Sequence, residues 1–438
     1  MIVKKTLLSI LSACIFAGAG TIASAQHLES FIPNYQNSAM YQLKKDQQEV
    51  WQGLPLNKQK GWKQYNRWEY FWKQRLYPNG QYKDAIDIYS NVLRDFSEKR
   101  IDALQSKQWD LIGPVTNPEK YNKHVDSKGL GRINVVRFHP TDVNEFWVGS
   151  ASGGVWRTKD KGKTWENFPF TQFLSLGVSD IAISPTNPNI VYVATGDANG
   201  SLGTAGYFAS IGIVKTTDGG KTWDITGIAN EMKDGNIISR LFVSPTNPDV
   251  VIAATNRGIY KSIDGGATWT VKQGGTFRDL EQKPNDENTL YAATAGRSEE
   301  NYIFKSVDAG ETWTLIRTIR EAGRIQLAVS PAAPDNLYTL CSQFYHSGFH
   351  SFQISDDGGE TFSIQADSSN GNYLNWGYDL SETNRGQSYY DLSLAVKNTD
   401  PDKVILGGIE CHRSSDAGSS WIRSTNTKTA GSTAHADQ

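Results

Sequence analysis

One eight-residue phrase, S/T-x-D-x-G-x-T/S-W/F, occurs six times between residues 158 and 421. Its fixed positions are Asp160, Gly162 and Trp165; Asp218, Gly220 and Trp223; and Asp264, Gly266 and Trp269. The remaining copies carry Asp308, Gly310 and Trp313; Asp357, Gly359 and Phe362; and Asp416, Gly418 and Trp421. The aspartates stand 58, 46, 44, 49 and 59 residues apart, a period close to that of a propeller blade. Each position has a physical task. The Asp carboxylate can accept backbone N–H groups of a tight turn. The Gly supplies a positive-φ residue. The aromatic opens the returning strand and buries a large apolar area between neighbouring sheets.

A second phrase precedes each copy, as in Ile181–Pro185–Pro188–Ala194 and Leu241–Pro245–Pro248–Ala254. It returns around Pro140, Pro284, Pro331 and Pro401. An alternating apolar strand enters a Pro-Asn turn, and a second apolar strand leaves it. One unit is therefore strand, turn, strand, link, strand, tight turn, strand. The predicted fold is all-β: a β-propeller of four-stranded antiparallel blades with six repeats, preceded by a short helical segment. A sandwich gives no reason for an identical hairpin in every unit, and solenoid coils are shorter.

Residues 1–25 read as a signal peptide, with Lys4 and Lys5 before an apolar run from Leu7 to Ile22. Cleavage is expected after Ala25; the alternative is lipoprotein anchoring at Cys14. Residues 26–108 form the Trp-rich helical segment, in which Trp62, Tyr65, Trp68 and Trp72 recur at helical spacing. These aromatics are expected to dock the segment on the propeller, which spans residues 109–438. After Ile422 the chain offers a polar loop and no capping strand, which favours a fragment of a larger propeller over six blades closing on themselves. The balance of 44 Lys+Arg against 46 Asp+Glu removes the case for nucleic-acid binding. No membrane span is expected beyond the leader. Cys341 and Cys411 are read as buried, unpaired side chains.

The repeated phrase resembles the Asp-box, or bacterial neuraminidase repeat. Gly61–Trp72, Gly129–Asn134, Ser152–Arg157, Ser175–Ile181 and the terminal His435–Gln438 resemble secreted bacterial proteins with a sortilin-type N-terminal propeller. That resemblance implies a further blade and a C-terminal sorting domain recognised by type IX secretion machinery. Sialidases share the repeat, but Arg132-Ile133-Asn134 lacks the Pro of their Arg-Ile-Pro signature. Xyloglucanase-like glycosidases are nearer, with phrases similar to Gly153–Arg157. Hydrolysis there would need two carboxylates outside the repeats, from Asp180, Asp197, Glu231, Asp279, Asp379 and Asp391.

The sequence leads to an exported, non-catalytic scaffold binding a peptide or glycan, with the glycosidase as the alternative. Recognition is assigned to the loops at residues 196–212, 297–302 and 370–388. Their aromatic candidates are Tyr373, Trp376, Tyr378, Tyr389 and Tyr390, with core packing as the competing explanation. No catalytic residue, metal site or cofactor is assigned. Asp197-Ala198-Asn199-Gly200-Ser201 resembles a Ca²⁺ loop only loosely, lacking the later bidentate carboxylate.

Overall fold

The computed structural model describes residues 49, 51–55, 62–73, 132–168, 177–200, 210–232, 237–296, 299–375, 380–381 and 386–425. The chain divides into two compact units, residues 1–92 and 93–438. In the first, Trp62–Lys73 forms helix α1, and Tyr65 meets the Trp51 ring edge-on at 5.3 Å. The expected leader, and the strand expected near Trp109, lie outside the described residues.

The second unit is a six-blade propeller, each blade a four-stranded antiparallel sheet with strands in chain order. Blade 1 is β1 (Ile133–Phe138), β2 (Phe146–Ser150), β3 (Val155–Thr158) and β4 (Glu166–Asn167). Blade 2 is β5 (Val178–Ile183), β6 (Val191–Thr195), β7 (Ile213–Thr216) and β8 (Asp224–Ile225). Blade 3 is β9 (Ile238–Val243), β10 (Val251–Thr255), β11 (Gly258–Ser262) and β12 (Thr270–Gly274). Blade 4 is β13 (Phe277–Gln282), β14 (Leu290–Thr294), β15 (Glu300–Ser306) and β16 (Thr314–Arg320). Blade 5 is β17 (Ala322–Ser330), β18 (Ala333–Gln343), β19 (Phe349–Ser355) and β20 (Ser363–Asp367). Blade 6 is β21 (Ser393–Lys397), β22 (Asp400–Gly407), β23 (Cys411–Ser414) and β24 (Ile422–Arg423).

The first strands β1, β5, β9, β13, β17 and β21 are innermost, each packed along the next. Strands β5, β6, β10 and β11 are buried at every position, not at alternate ones. A blade held between two others has no solvent face, so its strands become continuous apolar runs.

Five hydrophobic cores join six blades. Among the described residues none joins blade 6 to blade 1, and β21 does not pack along β1. The two faces there are exposed. Ile405 of β22 is 45% exposed, whereas Tyr192, Ile252, Tyr291 and Tyr338, at the same place in blades 2–5, are buried. Blade 1 shows Val136, Phe138 and Trp165 to solvent. Among the described residues, blades 1 and 6 thus share no core. Cys341 is buried and Cys411 half-buried, both as free thiols. No described helix is long and apolar enough to cross a membrane.

Candidate functional site

Every inner strand runs from one end of the central channel, its mouth, towards the other. Near the mouth, five of the six inner strands carry a break in register. Asn134, Ser179, Ser239, Arg278 and Arg324 occupy these bulges, which re-aim a side chain that a regular ladder would pair. Loop residues join them. Arg132 pairs with Asp197, whose second oxygen accepts from Asn134 Nδ2 at 3.1 Å. The Arg132 guanidinium lies 4.4 Å above the Tyr390 ring. Arg324 Nη2 donates to Asn199 Oδ1 at 3.0 Å, and its Nη1 reaches the Tyr390 carbonyl at 3.5 Å. Residues from blades 1, 2, 5 and 6 therefore meet at this end, with Arg278 of blade 4 on a bulge of the same register. Two long sequence separations, 125 between Arg324 and Asn199 and 65 between Arg132 and Asp197, close into one cluster.

Further along the channel, charges are paired from blade to blade. Arg137 Nη2 donates to Asp180 Oδ1 at 2.7 Å, and Asp180 Oδ2 accepts the Leu241 backbone N–H at 2.8 Å. Two blades on the pattern repeats. Arg240 Nε donates to Asp279 Oδ1 at 2.8 Å, while Asp279 Oδ2 accepts Gln326 Nε2 and the Leu327 N–H, both at 2.6 Å. Both carboxylates are fully buried with every oxygen engaged, which makes them ties between three blades. Glu281 is different. It follows Asp279 on the same face of β13, remains partly accessible, and burial followed by the Asp279 charge pushes its carboxyl well above the ordinary range. Its counterparts in register are Arg137, Ala182, Phe242, Ala328 and Ala395. A carboxylate at a repeat position that is apolar in four of the six blades was the signal available in the sequence.

The repeated turns lie at the far end. In each blade the turn donates a backbone N–H to the first turn of the same sheet, as Gly219 does to Asn189 O at 3.0 Å and Ala417 to Asp402 O at 3.0 Å. Asp264 accepts the Thr268 hydroxyl at 2.6 Å, the Thr268 N–H and the Ser262 hydroxyl. The Thr268 hydroxyl and then its N–H hold this carboxyl at about 2. Asp160 and Asp416 are lowered to about 2 by the matching Thr164 and Ser420, and Asp357 falls lower still through Thr361. The turn glycines have φ between 82° and 96°. All of this chemistry is spent within the turn.

Of the ligand candidates, Tyr390 stands at the mouth and Tyr389 beside it is exposed. Tyr373 is packed in the core of blades 5 and 6, its ring 5.0 Å from Phe349. Trp376, Tyr378 and Asp379, and the Glu231 side chain, lie outside the described residues. Asp391 lies next to Tyr390 and accepts from Gln387 Nε2 at 3.1 Å. Among the described residues no group of three or more metal-ligating side chains converges; Asp197 and Asn199 of the Ca²⁺-like stretch are engaged by arginines.

No family model matches the chain. It is 24% identical over 185 residues to xyloglucanase Xgh74A of Acetivibrio thermocellus, a match covering 40% of this chain and 20% of that protein. It is 31% identical over 100 residues to a probable oligoxyloglucan-reducing end-specific xyloglucanase of Neosartorya fischeri, covering 22% and 11%. The matches therefore span about a fifth or less of the relatives' length. Among solved structures, a GH74 xyloglucanase from Xanthomonas campestris superposes with TM-score 0.49 at 16% identity, covering 67% of this chain and 45% of that one. YCF48 from Cyanidioschyzon merolae does so with TM-score 0.45 at 17%, covering 67% and 85%.

The curated relatives are enzymes. The sequence reading of a non-catalytic scaffold is corrected by this match, which favours the glycosidase it held as the alternative. That reading had counted turn aspartates and possible carboxylate pairs, and local patterns do not report which relatives share the surrounding strands.

Proposed function

We propose that this protein is a glycoside hydrolase acting on a xyloglucan-type β-glucan. The observation that carries the reading is the 185-residue stretch shared with a curated xyloglucanase. The chemistry of the channel supports it. Glycosidic hydrolysis needs one carboxyl held protonated to donate to the leaving oxygen and a second, ionised one. Glu281 has the first property. Asp180 and Asp279 are buried ties deeper between the blades, which leaves Asp197, paired with Arg132, and Asp391 at the mouth for the second role. The finer assignments belong to the same proposal: a secreted protein of sortilin-type class, exported by the leader and cleaved after Ala25.

The test is release of reducing ends from purified xyloglucan, with cellulose and mixed-linkage glucan alongside. Glu281→Gln is expected to abolish release with the melting temperature retained, and Asp197→Asn or Asp391→Asn to reduce it at least tenfold, on the order of one general acid–base contribution. A wild-type protein that releases nothing from any of the three polymers overturns the reading.

A further inference from the structure

The mouth carries more positive charge than the fold uses. Arg137 and Arg240, deeper in the channel, each have an aspartate partner. Arg278 has none. It sits on the β13 bulge, 5% exposed, and its Nε and Nη2 find no hydrogen-bond partner among the described residues. Arg324, equally buried, leaves Nε unpartnered; Arg132 leaves Nε and Nη1. Among the described residues, three guanidiniums thus stand beside two carboxylates, Asp197 and Asp391, with five N–H-bearing nitrogens left over. Burial, and then the Arg324 charge, lower Arg278 to about 9. A guanidinium does not deprotonate at neutral pH. The disfavoured charge instead costs the empty fold stability, because an unpaired buried ion keeps its desolvation penalty.

We infer that the channel mouth is a seat for a carboxylate, held by Arg278 with Arg324 and Arg132, and that the carboxylate belongs to a sugar acid. A planar carboxylate can accept two parallel N–H bonds from one guanidinium, the geometry that a point-charge Lys lacks. The seat and its sugar carrier are both independent of the hydrolase reading, whose neutral glucans carry no carboxylate; the sugar carrier rests on the tyrosines at the mouth. The half-exposed Tyr389 and the Tyr390 ring beside Arg132 give a pyranose an apolar surface next to the charge. The proposed ligand class is therefore a sugar acid, bound with its carboxylate at the mouth and distinct from the neutral glucan chain of the hydrolase reading.

Calorimetric titration and thermal unfolding of the whole chain with glucuronate, acetate and glucose test this without any turnover assay. Glucuronate is expected to bind and raise Tm, acetate to do so more weakly, and glucose to do neither. Arg278→Met should weaken glucuronate at least tenfold, the size of a lost charge-assisted hydrogen bond. Arg278→Met should also raise the Tm of the unliganded protein, since it removes the unpaired charge. Acetate equal to glucuronate keeps the seat and overturns the sugar carrier. The seat itself is overturned if no carboxylate binds, if Arg278→Met binds glucuronate as the wild type does, or if the variant melts lower. Xyloglucan hydrolysis absent in a protein that still binds glucuronate would sink the enzyme reading and leave the seat standing.

Discussion

The aromatic that closes each repeated turn is chemically the same six times over, yet its environment is not. Trp223 is 7% exposed, edge-on to the stacked rings of Trp147 and Phe168 on the preceding blade, whereas Trp165 is 43% exposed and touches Phe146 of its own blade. Trp223→Ala should therefore cost roughly 3–5 kcal/mol in chemical denaturation, the price of emptying a packed core. Trp165→Ala should cost about 1 kcal/mol or less, mostly the bond from its indole N–H to Gly162 O at 3.1 Å. Equal losses would show that something covers blade 1. The turn aspartates add a pH dependence of definite sign. Their folded carboxyls sit at about 2 against an ordinary 3.8, so the stability they contribute is complete above the ordinary value and lost as pH falls towards 2. Asp264→Ala should lower Tm at neutral pH and flatten that acid limb in a Tm-against-pH series. An unchanged limb would remove the carboxylate from the account.

At the scale of the element, the inner strand does two jobs set by register. Before the bulge its residues face the mouth; after it, Asp180 and Asp279 reach across to the next blade's backbone. Asp279→Ala should cost roughly 3–5 kcal/mol, since it strands the Arg240 charge and two further donors. A small loss would show that the channel is wet enough to hydrate Arg240. This division explains what was legible in the sequence. Turn chemistry is local, so six copies announced the hairpins, the blades and the propeller. The glycines carried a second message that only packing reveals: a Cβ on Gly220 would meet the Phe168 ring of blade 1 at 2.3 Å, and one on Gly418 the Phe352 ring of blade 5 at 2.2 Å. The site was not local. Arg278 and Glu281 gain meaning only when five other strands surround them, and a bulge is invisible until its partner strand is known. Tyr373 shows the converse, since an aromatic in a polar-looking loop became core once blade 6 folded over it.

For the whole molecule, the decisive fact is that six blades share five cores. A closed ring gives every blade two neighbours, whereas here blade 1 and blade 6 each lack one among the described residues. The comparison of Ile252 with Ile405 isolates this, because both hold the same register position of the second strand and pair with the first and third strands of their own blade. Ile252 is fully buried and would touch a Cβ placed on Gly310 of the next blade at 2.5 Å; Ile405 is 45% exposed. Ile252→Lys puts an unpaired ammonium into an interblade core and should cost more than about 4 kcal/mol, enough to unfold a marginal domain. Ile405→Lys leaves the charge in water and should change stability by about 0.5 kcal/mol or less. Denaturant titration of the two variants reads the difference directly. If Ile405→Lys proves as damaging as Ile252→Lys, blade 6 has a partner on that face in solution. If the two differ as expected, the outer face of blade 6 stands in water, and the five cores carry the interblade stability without a sixth.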